Sequence, residues 1–333
     1  MKTNYLGRRA FIKYGLLSSF LILSGCSTSK NKLALRGVPN SFPIEFINVL
    51  PAAWEFLPIK DIELKKIPYD SAFQYKTDLL VLNDGWISTL PFGSLKEITG
   101  INFRDDFSPQ ANSFLEGLGE DYENRIVPLA VSPWVIIFRN KDSLVLKNKN
   151  SWEVVFSDIL SNQIVFPNSP YLLISIAKKI GFGNDFSKIK SQAKLFDDRN
   201  ALNWLVSGRA HAAVLPLSRC IPNLVADPRL SILFPEEGSP LNWTVLASPR
   251  SSPEPFPSDS FDLFWEPNYS RRTIRKGFFP PINFSGLRKQ NIIIPQRYQS
   301  IFLPEKSFWN KCWSMPVLSL EEKKDLALSW NNS

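Results

Sequence analysis

The sequence predicts an α/β protein in two halves, the middle of the chain being inserted into a unit built from both ends. Three observations predict it. Apolar runs of strand length alternate with capped helical stretches, the order expected of parallel sheets. One run, residues 79–82 (LLVL), is apolar at every position, as a strand buried on both faces must be, and it ends in polar Asn83 and Asp84. Two extended, proline-bearing stretches, "RIVPLAVSPWVIIFRN" and "GSPLNWTVLASP", are placed to carry the chain out of one half and back. A length of 333 residues supplies one large or two medium domains.

In order, "KLALRGV" (32–38) suits a first strand and "PNSFPIEFINVL" (39–50) a helix, with Asn40 or Ser41 as cap and Pro43 in the opening turn. "DIELKKIPY" (61–69) alternates like a second strand, and "TDLLVLNDGW" (77–86) holds the buried one. Ligands of open α/β sheets gather at the carboxyl ends of strands, which marks Asn83, Asp84 and Trp86, and likewise Asn40 and Ser41. In the first crossing (125–140), Pro128 and Pro133 exclude a smooth central strand. "NSWEVVFSDIL" (150–160) reads as an amphipathic helix and "NQIVFP" (162–167) as a strand. "NSPYLLISIAKKIG" (168–181) is a helix with Ser169 as cap, Pro170 in its first turn and Gly181 as stop. "DDRNALNWLVSG" (197–208) is a helix closed by Gly208, and "AHAAVLPL" (210–217) a buried strand. After the second crossing comes a proline-rich loop (252–260). "LSLEEKKDLALSW" (318–330) is a final helix opened by a capping box of Ser319 and Glu322.

The amino terminus, "GRRAFIKYGLLSSFLILSGCSTS" (7–29), is laid out as a signal peptide: bases first, then an apolar run, then small residues. The run is about half the length a membrane-spanning helix needs. "RRAFIK" resembles the twin-arginine export motif, carried by Arg8 and Arg9, and "LSGC" resembles the bacterial lipobox, whose cysteine here is Cys26. These resemblances imply a signal peptide over residues 1–25, acylation of Cys26, and a chain tethered on the periplasmic side of a bacterial membrane. Buried acyl methylenes at ~0.8 kcal/mol each make such a tether lasting.

The composition argues against several classes. The net charge of +8 falls to +4 once the signal's four bases are gone, too little over this length to suggest nucleic acid. "RRTIRK" (271–276) reads as a solvated helix face. Beyond Cys26 stand only Cys220 and Cys312, whose pairing spacing leaves open, and one histidine, His211. No histidine cluster, cysteine pair at ligand spacing or glycine-rich phosphate loop appears, so no metal site and no cofactor is expected. There is no "GxSxG" elbow, and His211 and Cys220 lie nine residues apart on an extended stretch, too far to touch. The chain is not expected to be an enzyme.

The lipobox, "TDLLVLNDGW", "VPLAVSPWVIIFRN", "SWEVVFSDILSNQIVFPNSPYLLISIAKKIG", "LNWLVSGRAHAAVLP" and "FPEEGSPLNWTVLASP", in this order and spacing, resemble the bacterial extracellular solute-binding proteins of ABC importers, particularly those for spermidine and putrescine. The resemblance covers most of residues 33–250. It implies the two-lobe periplasmic binding protein fold (type II-like), with two crossover strands at the hinge. Lobe 1 is then expected from residues 33–130 and 248–333, and lobe 2 from residues 131–247. It also implies aromatic faces for a polyamine's carbon chain and carboxylates for its ammonium ends. The family's phrase of proline, acid, glycine, then tryptophan, one residue and aspartate aligns with Pro235, Glu237, Gly238 and then Asn242, Trp243 and Thr244. The aspartate position is therefore Thr244, and the tryptophan sits one place along, which in a strand turns it to the other face.

Asp84 is left as the strand-end carboxylate to meet an amine. Trp86, Trp134 and Trp243 either flank a ligand or pack the hinge. Ser132 and Ser169 offer hydroxyls, and Tyr171 points into the cleft or across the surface. Trp204, Phe308 and Trp309 are expected in the core. The expected function is a tethered, monomeric solute-binding protein that hands a small molecule, by resemblance a polyamine, to the membrane subunits of an importer. A small anion held at helix N-termini near Ser41 and Ser169, or a scaffold lipoprotein that no longer transports, are the alternatives.

Overall fold

In the computed structural model, residues 32–59, 76–98, 103–139, 150–183, 186–283 and 296–333 are described. The export segment with Arg8, Arg9 and Cys26, and the strand expected at 61–69, lie outside the described residues. β1 (Leu33–Gly37) runs parallel between β2 (Trp54–Pro58) and β3 (Leu79–Asn83). The first four residues of β3 are fully buried, which is why they carry no polar side chain. β1 can end beside β3 because residue 37 is glycine: a Cβ there would lie 2.2 Å from a methyl of Val81.

β4 (Val127–Arg139) joins the halves as one thirteen-residue strand. It is continuous but not smooth: the register shifts between Pro128 and Ala130, where proline offers no N–H to the ladder. Residues 127–133 pair antiparallel with the later strand 241–247, and residues 134–138 pair with 212–216, so the switch between sheets falls at Pro133 and Trp134. The second sheet adds β5 (Ile164–Phe166) and β6 (Ala193–Phe196) parallel to β7 (Ala212–Pro216), with β8 (Leu230–Leu233) antiparallel along the end of β4. β9 (Leu241–Ala247) then returns between β3 and β4 in the first sheet. The pairing thus puts the return at Pro240 and Leu241, earlier than the boundary expected after residue 247.

Helices cover the sheets. α1 (Pro109–Glu116) is capped by Ser108 and buries Phe114 toward the first sheet. α2 (Pro170–Lys179) has the cap expected at Ser169 and ends before Gly181, which takes a positive φ of 72°. α3 (Ala201–Val206) ends before Gly208, and α4 (Leu217–Ala226) follows β7 directly. Alternation along β4 separates two apolar layers. Ile136 and Phe138 join Trp152, Phe166 and α2 on one face, while Val135 and Ile137 join Leu205, Leu215 and Cys220 on the other. α5 (Ser258–Phe264) and α6 (Pro267–Ile274) pack on the first half. Arg272 and Arg275 of "RRTIRK" are exposed there, and Lys276 pairs with buried Glu45.

Two expected α-helices are short 3₁₀ turns instead. Residues Ile44–Val49 begin after Pro43 with no side-chain cap: the Ser41 hydroxyl donates to the Val38 carbonyl, and Asn40 sits at φ +64°, a turn rather than a cap. Trp152–Phe156 and Asp158–Leu160 are split by extended Ser157.

The last segment ties back to both halves. Trp313 exchanges backbone hydrogen bonds with Ser239 and Leu241, and its indole N–H donates to Ser175 on α2 (2.8 Å). α7 (Leu320–Asn332), opened by the expected capping box, packs on α2, with Trp330 edge-on to Phe186 and Phe196. No helix among the described residues is long and apolar enough to cross a membrane.

Candidate functional site

The ends of the parallel strands from both halves face one another across a cleft of about 530 Å³. The turn after β1 contributes Asn40 and Ser41, the end of β3 contributes Asn83 and Trp86, and the two long strands contribute Trp134 and Asn242. These six expected residues are brought together. From the second half come Asp198 and Arg199, in the loop after β6, and Pro216, Ser218 and Arg219, where β7 becomes α4. The charged three went unnoticed in the sequence, although the strand-end rule that marks Asn83 applies equally to them.

Backbone chemistry holds this wall in shape. Asp197 accepts the N–H groups of Arg199 and Asn200, fixing the turn that presents Asp198 and Arg199. Asp198 accepts the Asn168 N–H (3.2 Å); burial pushes its pKa up, against the pull of that bond and of Arg219. Arg219 donates to the Arg199 carbonyl (3.3 Å), which orients its guanidinium along the wall.

Asp84 parts company with Asn83. It lines a neighbouring cavity of about 270 Å³ together with Ser88, Ser169, Tyr171, Pro316 and Lys323. The tail closes this cavity: the Tyr171 hydroxyl donates to the Pro316 carbonyl (3.0 Å), and Lys323 of α7 donates to the Gly85 carbonyl and the Ser88 hydroxyl. Burial pushes the Asp84 carboxyl up to about 7, although backbone N–H groups of Trp243 and Gly85 favour its charged form. Ser169 is used as the cap of α2, its hydroxyl accepting the Leu172 N–H.

Three expected ligand residues are internal. Trp243 is fully buried, stacked on Phe114 (4.7 Å between centroids) with its N–H donated to Ser314; the pleat turns it away from the cleft. Thr244 lies on the cleft side of β9 but behind Ser41, whose carbonyl accepts its hydroxyl (3.2 Å), and is 1% exposed. Ser132, also 1% exposed, accepts the Ser218 N–H and so locks the start of α4 to β4. Ser41 begins no helix and Ser169 satisfies its own, so neither supplies the open helix terminus expected for an anion.

Cys220 and Cys312 are both free thiols. Cys220 is buried in the core, and burial pushes its thiol far above the usual range, opposite to what a nucleophile needs; Cys312 is pushed up to about 12 for the same reason. His211 is exposed at the start of β7. Among the described residues no group of three metal-ligating side chains converges.

No protein-family model and no curated protein sequence matches this chain. Solved structures do. A spermidine/putrescine ABC transporter substrate-binding protein of Streptococcus pneumoniae superposes with a TM-score of 0.67 at 11% identity, over 91% of this chain and 99% of that one. A lipoprotein of Treponema pallidum gives 0.64 at 13% identity, over 90% and 98%. A ferric binding protein of Campylobacter jejuni gives 0.58 at 16% identity, over 90% and 99%. At such identities the likeness is one of fold, and the chain has the two-lobe fold of periplasmic substrate-binding proteins.

Proposed function

We propose that this chain is the solute-binding component of an ABC importer, exported and held to the membrane by lipid on Cys26. The observation that carries the reading is the cleft itself. Two sheets meet through β4, and at their strand ends two tryptophans and a set of polar side chains converge from both halves. A solute there touches both lobes at once, so its binding favours their closed arrangement, and the closed form is what a membrane partner can recognise. The chain would then perform no chemistry, act as a monomer, and leave ATP hydrolysis to the importer. The fold neighbours named as substrate-binding proteins support the same role.

A polyamine is the second reading. Asp198 inside the cleft and Asp84 beside it are carboxylates of the kind that ammonium ends require, and Trp86 and Trp134 offer faces for a carbon chain.

The test is thermal unfolding of the purified chain against amines, amino acids, anions and sugars. A solute at a hundred times its dissociation constant stabilises by ~2.7 kcal/mol, and the shift should vanish in Trp86→Ala with Trp134→Ala. Absence of any stabilising solute would favour the scaffold alternative. Cys26→Ala should release the protein from membranes, and Lys at both Arg8 and Arg9 should slow its export.

A further inference from the structure

The cleft is not dressed for a cation. Its charged side chains are two guanidinium groups, Arg199 and Arg219, against one carboxylate, Asp198. The first half adds only neutral groups, Asn40, Ser41, Asn83 and Trp86, and the position behind Ser41 is neutral Thr244. Asp84 opens into the adjoining cavity, where the ammonium of Lys323 is already seated on the Gly85 carbonyl and the Ser88 hydroxyl. Arg219 lines the same wall as Asp198 and is electrostatically coupled to it and to neighbouring Asp197, so an ammonium at Asp198 would compete with a guanidinium already there. A guanidinium presents five N–H donors in a planar fork, the shape that matches a carboxylate or phosphate. Arg219 is oriented by a single bond to the Arg199 carbonyl. Asp198 is itself anchored by the Asn168 N–H.

We infer that the cleft takes a small solute bearing a carboxylate- or phosphate-class anion on Arg219 and Arg199, with its apolar or flat part against Trp86 and Trp134. This rests on the solute-binding reading and narrows it to a substrate class. The polyamine reading and this one differ in the sign of the charge recognised, so matched compounds separate them.

The experiment is a thermal-shift and calorimetric comparison of the purified full chain with succinate against putrescine, indole-3-acetate against tryptamine, and inorganic phosphate against spermidine. The anionic member of a pair is expected to stabilise the chain and its amine is not. Which anion acts separates carboxylate from phosphate and a compact body from an aromatic one. Arg219→Gln should weaken the effective anion at least tenfold, and Arg219→Lys should recover part of the loss. Asp198→Asn keeps the oxygen that accepts the Asn168 N–H and removes a like charge, so anion binding should strengthen several-fold. Stabilisation by the amines alone, or anion binding indifferent to Arg219→Gln, overturns the inference while leaving a solute-binding protein. No shift with any of the six compounds overturns the inference, while the solute-binding reading falls only if the wider panel of amino acids and sugars also fails to stabilise the chain.

Discussion

Replacing Thr244 by Asp would give this chain the carboxylate its resemblance to polyamine-binding proteins lacks, and the structure predicts damage rather than repair. Thr244 is 1% exposed and its hydroxyl donates to the Ser41 carbonyl at 3.2 Å. An aspartate there would set an acceptor-only group against another acceptor, the Ser41 carbonyl. An uncompensated charge of this kind costs ~3–5 kcal/mol. At roughly 2 °C per kcal/mol for a chain of this size, the melting temperature should fall by about 6–10 °C at pH 7. Thr244→Val, of the same shape, loses only the hydrogen bond and should cost about 1 kcal/mol. The pH dependence follows from the sign of the shift. Burial raises the introduced carboxyl's folded pKa above the unfolded value of about 4, so the loss is absent below that pH and grows until the folded pKa is passed. Scanning calorimetry of the three proteins between pH 3.5 and 7.5 measures all of this. A Thr244→Asp protein as stable as the parent at pH 7, or one that gains amine binding, would refute the placement of Thr244 behind Ser41.

Asp84→Asn should stabilise the chain at neutral pH. The folded carboxyl at about 7 holds its proton more tightly than the unfolded chain does, so stability is lost as pH rises from about 4 toward 7, and the amide removes that loss. The gain should be on the order of 1–3 kcal/mol at pH 7, less than the full shift because the side chain keeps some contact with water, and nil below pH 4. Gly238→Ala should cost ~3 kcal/mol or more in denaturant unfolding, since residue 238 sits at φ +82° and a Cβ would meet the Lys311 backbone at 2.3 Å. Ser319→Ala removes the capping box and should weaken α7 by about 1 kcal/mol, read as faster amide exchange over 320–326.

Where local chemistry decides structure, the sequence was a sound guide. The apolar run of β3, the Ser169–Pro170 start of α2 and the Ser319–Glu322 box each determine their element within a few residues. The failures have physical causes too. Seven residues between Pro43 and Pro51 are too few to repay helix nucleation, so that stretch settles as a 3₁₀ turn buried by Phe46 and Val49. "WEFLP" shows no clean alternation in the sequence; among the described residues β2 pairs on one side only, half-buried and ended by proline. For the site, strand-end position located Asn83, Trp86, Asn40 and Ser41, but the pleat decides orientation, and it turned Trp243 into the core. Arg199, Arg219 and Asp198 lie in a turn and a helix start whose meeting with the first half depends on how β4 spans both sheets, a relation no local pattern contains.

The central claim is that a solute is held between the two halves, and hydrogen exchange with and without the most stabilising solute tests it directly. Protection should rise together at 38–41 and 83–86 in the first half and at 198–199 and 217–219 in the second, with the cavity formed by residues 108–110 and 302–310 unchanged. Protection confined to one half, or appearing only at that other cavity, would contradict it.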